Sequence, residues 1–156
     1  MKILDCTIRD GGYYTNWDFD RNLIRRYLES MENLPIDYLE VGYRNPELKG
    51  YFGEYYFLPE QSLQFVKENT SKQLAIILNE KDVRVEMLDE LLNSCKGIIK
   101  LVRIAIDPKN FSRAILLAEG IKNRGFEVGF NVMYMSRWSE FPDMISQLEG
   151  IEEVVD

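Results

Sequence analysis

The chain reads as an α/β protein built from successive parallel strand–helix units, and three observations carry that reading. Apolar segments recur about every 25 to 35 residues, each followed by a helical pattern, the signature of right-handed βαβ crossovers. The segments are apolar almost throughout, as strands covered on both faces are. The chain has 156 residues, 46% of them hydrophobic and 29% charged, which suits one globular domain with a real core. Two architectures satisfy the pattern: an open doubly wound sheet, or part of a closed eight-stranded TIM barrel. A full barrel takes ~250 residues, whereas five units and the start of a sixth strand are legible here. That sixth-strand start, Ile151 to Asp156, with Ile151, Val154 and Val155 as its apolar residues, would stand at an uncovered edge. The expectation is therefore a partial barrel with about five of its eight (β/α) units, or two copies that associate to cover the sheet.

Taken in order, the first strand is expected over Lys2 to Arg9, breaking at Asp10 into a glycine turn at Gly11-Gly12, where φ > 0 and close approach are available. Asp18 or Asp20 caps a helix to Asn33, with Leu23, Ile24, Tyr27, Leu28 and Met31 at helical spacing on one face. Leu34-Pro35 stops it. Tyr38 to Tyr43 is the second strand. The loop that follows, Arg44 to Phe57, is long and rich in aromatics and glycine, as functional loops often are. Its Tyr51–Phe57 part is expected to close over the site or to pack on a partner subunit of a homo-oligomer. Pro59 opens the next helix, which buries Leu63, Phe65 and Val66. The third strand is Leu74 to Leu78, a helix covers Val85 to Asn93, and the fourth strand is Lys100 to Ile106. Asp107-Pro108 starts a helix that continues from Phe111 to Asn123 and stops at Gly125. Phe126 to Met135 is the fifth strand, and Ser139 opens a helix to Leu148.

Composition narrows the chemistry. The net charge is -7, from 19 basic and 26 acidic residues without a basic run, so nucleic acid is not an expected partner. No secretion signal and no apolar run of ~20 residues is present, so a cytoplasmic protein with no membrane partner is expected. Cys6 and Cys95 are too few and too far apart for a metal knuckle and are expected to be buried thiols. The sequence contains no histidine, which removes every imidazole-dependent triad or metal site from these residues.

In the barrel arrangement the strand C-termini share one rim, which would carry Arg9, Asp10, Glu40, Arg44, Asn79, Arg103, Asp107, Asn131, Tyr134 and Asp156. Read alone, Arg9-Asp10-Gly11 is equally an Asp-Gly turn with a surface ion pair. On a rim, however, Asp10 and Glu40 repel unless a cation lies near them, and oxygen ligands point to Mg²⁺ or Mn²⁺ rather than Zn²⁺.

Asp5-Cys6-Thr7-Ile8-Arg9-Asp10-Gly11 resembles the D-x-T-L-R-D-G signature on the first strand of the metal-dependent aldolase and lyase barrels, among them 4-hydroxy-2-oxovalerate aldolase, hydroxymethylglutaryl-CoA lyase and isopropylmalate synthase. Glu40-Val41-Gly42 on the second strand and Val132-Met133-Tyr134-Met135-Ser136 on the fifth are similar to the same family. The resemblance implies that residues 1–156 form the N-terminal portion of such a barrel, cleaving or forming a C–C bond next to a 2-oxo or acyl carbonyl through an enolate. It implies a divalent metal, Mn or Mg, with Asp10 as a carboxylate ligand, and Arg9 facing the substrate's carbonyl oxygen. Glu40 would orient Arg9 or move a proton. Tyr13 stands where relatives carry Gln or a catalytic His, and a phenol moves a proton only when its high pKa is lowered. Arg44, Arg103, Asn131 and Tyr134 are the further candidates for holding a small 2-oxoacid or acyl substrate. The relatives complete the metal site with a His-x-His pair on a seventh strand, so about half of an active site is expected in these residues. A non-catalytic half-barrel that binds a small carboxylate or another subunit is the alternative.

Overall fold

The computed structural model describes residues 1–156, apart from the side chain of Glu153. Five strands, β1 (Leu4–Asp5), β2 (Tyr38–Tyr43), β3 (Gln73–Asn79), β4 (Ile99–Ile106) and β5 (Glu127–Val132), form one sheet in the order β1-β2-β3-β4-β5. Every neighbouring pair is parallel. A strand order that never reverses excludes the doubly wound alternative, whose ligand crevice depends on a reversal. The sheet is a curled half-barrel with helices between its strands, an α/β partial barrel.

Register sorts the side chains. Residues paired across strands share a face, so the Glu40–Ala75, Ile77–Arg103, Arg103–Gly129 and Ala105–Asn131 pairings place these residues on the concave side. The convex side carries Leu39, Val41, Leu74, Ile76, Leu78, Val102, Ile104 and Val128, all buried beneath the helices. Those helices are α1 (Thr7–Thr15), α2 (Arg21–Met31), α3 (Glu54–Phe57), α4 (Glu60–Glu68), α5 (Leu88–Leu92), α6 (Phe111–Lys122) and α7 (Pro142–Leu148). Asp20, not Asp18, caps α2, accepting from the backbone N–H of Asn22 and Leu23. Among the described residues no helix is long and apolar enough to cross a membrane.

Several sequence expectations are corrected. β1 is two residues long rather than eight, and Thr7 to Thr15 is helix, so Arg9, Asp10, Gly11 and Gly12 lie in α1 and not in a turn. Tertiary packing overrides the glycines' low helix propensity: a Cβ on Gly12 would stand 2.1 Å from Trp17, so only glycine admits the indole there. Leu23 is exposed while Ile24 and Leu28 fill the face of α2. β5 stops at Val132 because Tyr134 turns left-handed (φ 56°) into a 3₁₀ stretch over Met135–Glu140. α7 therefore starts at Pro142 rather than Ser139. Ile151–Glu153 is a 3₁₀ turn, not a strand start, although Asp156 N–H donates to Val128 O at 2.9 Å on the free edge of β5. Cys6 is half-buried and Cys95 buried, both as free thiols. Within the aromatic loop, Tyr55 and Tyr56 are core residues of this chain rather than exposed rings, and Tyr51 is the exposed one.

Candidate functional site

Glu40 is the centre of the concave face. It is fully buried, and its two oxygens accept from two different guanidinium groups: Oε1 from Arg9 Nε at 2.6 Å and Oε2 from Arg103 NH1 at 2.9 Å. A buried carboxylate needs such partners, and two forked cations supply them with geometry as well as charge. The sequence makes room locally. Ala75 is Glu40's register partner on β3, and a Cβ on Gly129 would stand 3.3 Å from Arg103 Cγ.

Arg9 is held from three sides. Beyond Glu40, its NH1 donates to Asp10 Oδ1, and its carbonyl accepts from the buried Trp17 indole at 2.9 Å. Burial works against the Arg9 charge, but the attraction and hydrogen bond of Glu40, with Asp10 behind it, outweigh that and raise its pKa. The Arg9 NH2 group makes no hydrogen bond among the described residues, which leaves N–H donors for a ligand oxygen. Asp10 is half-exposed. Its Oδ2 accepts from the Cys6 thiol at 3.1 Å, and burial together with that hydrogen bond pushes the thiol up to about 11, so Cys6 stays protonated.

Tyr13 is 64% exposed, and its hydroxyl lies 2.8 Å from that of Tyr43, a buried residue at the end of β2. Burial, then the contact with Tyr13, raises the Tyr43 pKa, while the Arg9 charge pulls the other way. Tyr13 also lines a cavity of about 280 Å³ at the C-terminal ends of β3, β4 and β5, together with Asn79, Asp107, Lys109 and Tyr134.

The remaining candidates are placed as follows. Arg44 is away from this cluster: its guanidinium donates to the carbonyls of Leu91, Phe57 and Leu58 and to Ser94 Oγ, which ties the aromatic loop to the α5 region. Asn131 stands beside Ala105 on the concave face, half-buried. Asp156 lies against Val128 on β5 and not at the rim. One residue was missed in the sequence: Glu80, almost fully buried just after β3, which accepts from Asn110 Nδ2 at 3.0 Å and pairs with Arg113 Nε at 3.1 Å. Its signal was a carboxylate directly after an apolar strand, the same signal that picked out Asp107.

Among the described residues no group of three or more carboxylates or thiols is placed to hold a metal ion, and both Asp10 oxygens are engaged by Arg9 and Cys6. These residues do not make a complete metal site by themselves.

Comparison with known structures places this geometry in context. The N-terminal domain of a protein described as "a putative aldolase" from Bacteroides vulgatus is 51% identical and superposes with a TM-score of 0.96 over 100% of this chain and 52% of that one. This chain thus spans about half of that relative's length. The carboxyl transferase domain of Rhizobium etli pyruvate carboxylase, in its structure with pyruvate and biocytin, is 15% identical with a TM-score of 0.70 over 97% of this chain and 29% of that one. At that identity the likeness is one of fold. No family profile and no curated protein matches the chain.

Proposed function

We propose that the chain is the N-terminal half of an aldolase- or lyase-type barrel that breaks or forms a C–C bond beside a 2-oxo or acyl carbonyl through an enolate. The observation that carries this reading is the Arg9 guanidinium, fixed on buried Glu40 with N–H donors to spare on the concave face. In the cleavage direction a base takes the proton of the 4-hydroxyl of a 2-oxoacid. The 4-oxygen then forms the carbonyl of the departing aldehyde as the C3–C4 bond breaks, the electron pair of that bond passes to the C2 oxygen as an enolate, and protonation at C3 gives the shorter 2-oxoacid. Arg9 receives the developing oxyanion, where such barriers are highest. Glu40 and Arg103 act on Arg9 as positioning residues. Tyr13, with its hydroxyl on Tyr43, is the candidate proton carrier. A divalent metal would add Lewis acidity at the enolate, with Asp10 as one ligand and the others from outside these residues.

The relative described as an aldolase supports this reading through 51% identity over the whole chain. A second reading, a non-catalytic half-barrel that binds a small carboxylate, is favoured by the incomplete metal donor set. Deuterium exchange at C3 of pyruvate, followed by NMR with and without Mn²⁺, separates the two. In the complete barrel exchange is expected, ~10²- to 10³-fold slower in Arg9→Gln, the usual cost of losing one oxyanion donor, whereas residues 1–156 alone are expected to bind Mn²⁺ weakly and show no substantial turnover. Equal rates in the two proteins overturn the enzymatic reading, and exchange that EDTA leaves unchanged removes the metal from it.

A further inference from the structure

We propose that the cavity between Tyr13 and Tyr134 is the subsite for the aldehyde or acyl half of the substrate, and that Lys81 selects a carboxylate at the far end of that half. This rests on the reading above and adds the class of the second reactant.

Position comes first. The cavity opens where β3, β4 and β5 end, at Asn79, Ala105 and Met133, the end at which parallel α/β barrels present ligands. Tyr13 belongs to it and also reaches Tyr43 beside the Arg9 centre, so a ligand whose carbonyl lies at Arg9 continues past Tyr13 into this space. The volume of about 280 Å³ is just below the ~300–1,000 Å³ range of ligand pockets, so a short carbon chain is the size that fits.

Charge decides the chemistry of that chain. Two carboxylates stand in the wall, and each is already compensated from within the protein. Glu80 is paired with Arg113 Nε at 3.1 Å and accepts from Asn110 at 3.0 Å. Asp107 is paired with Lys109 Nζ at 3.1 Å and accepts from the Lys109 backbone N–H at 3.2 Å. Lys81, also in the wall, makes no ion pair or hydrogen bond among the described residues. In a chain of net charge -7, the cavity is thus left with one cation, exposed Lys81, that no side chain answers, and Ala105 and Met133 add apolar lining. A short chain ending in a carboxylate complements both features, whereas a neutral aldehyde leaves the ammonium unanswered.

Two measurements test this. Succinate binding by calorimetry is expected to weaken at least ~10-fold in Lys81→Met, the equivalent of one modest charge-assisted contact. It is expected to be unchanged in Lys67→Met, which removes the same charge from α4. With pyruvate as donor, succinic semialdehyde is expected to show a KM at least ~10-fold below that of butyraldehyde, and Lys81→Met to erase the difference. Wild-type protein that does not bind succinate, or binds it equally well after Lys81→Met, overturns the subsite even if pyruvate exchange is present. Lys81-dependent succinate binding without any pyruvate exchange supports the anion site and overturns the aldolase reading instead.

Discussion

The two ends of the half-barrel repeat one arrangement, a carboxylate between two cations, in opposite environments. At the upper level Glu40 is fully buried between Arg9 and Arg103, whose side chains are 10% and 18% exposed. At the N-terminal end Glu127 lies 3.1 Å from Lys100 and 3.7 Å from Lys2, whose side chains are 50% and 62% exposed, and also accepts from the Tyr38 hydroxyl. Lysines at the wet end are solvated point charges that reorient freely, and their pairs contribute little. Arginines at the dry end form rigid forks, and their pairing fixes a direction in space. The difference teaches that the exposed lysine cluster can reorient, while the buried arginine cluster is held in one direction.

Breaking the upper cluster is expected to have the largest effect. Glu40→Gln leaves two guanidinium groups without their carboxylate and is expected to cost ~3–5 kcal/mol in urea denaturation, with loss of pyruvate exchange. Glu127→Gln is expected to cost at most ~1 kcal/mol. Similar costs for the two variants would dissolve the contrast between the ends.

The next effect tests what steadies the upper end. Gly12→Ala places a Cβ 2.1 Å from the Trp17 indole that donates to the Arg9 carbonyl, whereas Gly11→Ala meets only Phe19 at an ordinary 3.7 Å. Gly12→Ala is expected to destabilise by ~1–2 kcal/mol in thermal melts, overpacking outweighing the gain in helix propensity. Gly11→Ala is expected to be neutral or slightly stabilising. The reverse order would show that Trp17 does not support Arg9.

The smallest effect belongs to a third carboxylate, Glu32, which ties the end of α2 to the segment before β3. It accepts from the Ser71 hydroxyl at 2.6 Å, the Ser71 backbone N–H at 2.9 Å and the Thr70 hydroxyl. The hydrogen bonds of Ser71, then Thr70, lower its pKa to about 2. The folded pKa is below the unfolded value, so the contribution is present above about pH 4.3 and is lost as pH falls toward 2. Discounted for solvent screening, Glu32→Gln is expected to cost ~1 kcal/mol at pH 7. The gap between its urea midpoint and that of the wild type is expected to narrow steadily below pH 4.

Much of this fold was legible in the sequence. β2 runs from Tyr38 to Tyr43 as expected, and β3 and β4 extend the expected strands by one or two residues because their apolar runs have no competing period. The opening motif was not legible as helix. Two adjacent glycines and an Asp-Gly pair are turn chemistry when read locally, and what overrides them is an indole arriving from Trp17 and a ring from Phe19. The site divides in the same way. Arg9 and Glu40 were identified as a pair to examine, and they bond directly. Arg44 carried the same signal, yet it ties a loop together, because the β2 irregularity after Glu40 puts it among the helices' carbonyls. Glu80 carried the signal that picked out Asp107, a carboxylate just past an apolar strand, and was passed over, whereas exposed Lys81 carries no signal in the strand pattern.

The corner after α1 joins these observations. Asn16 and Trp17 are both left-handed, at φ 53° and 57°, a costly conformation for a bulky residue. They are held there because Gly53 N–H donates to Asn16 O at 2.7 Å and Tyr55 N–H to Trp17 O at 3.3 Å. A Cβ on Gly53 would stand 2.2 Å from Trp17 O, just as one on Gly12 would strike the indole. Position 12 is therefore coupled to the side chain at 17, and position 53 to the left-handed backbone there. Exchange of the tryptophan for a smaller residue would relax the ban on a side chain at position 12 alone, because Gly53 faces the backbone of Trp17 and Asp18, which stays whatever side chain stands at 17.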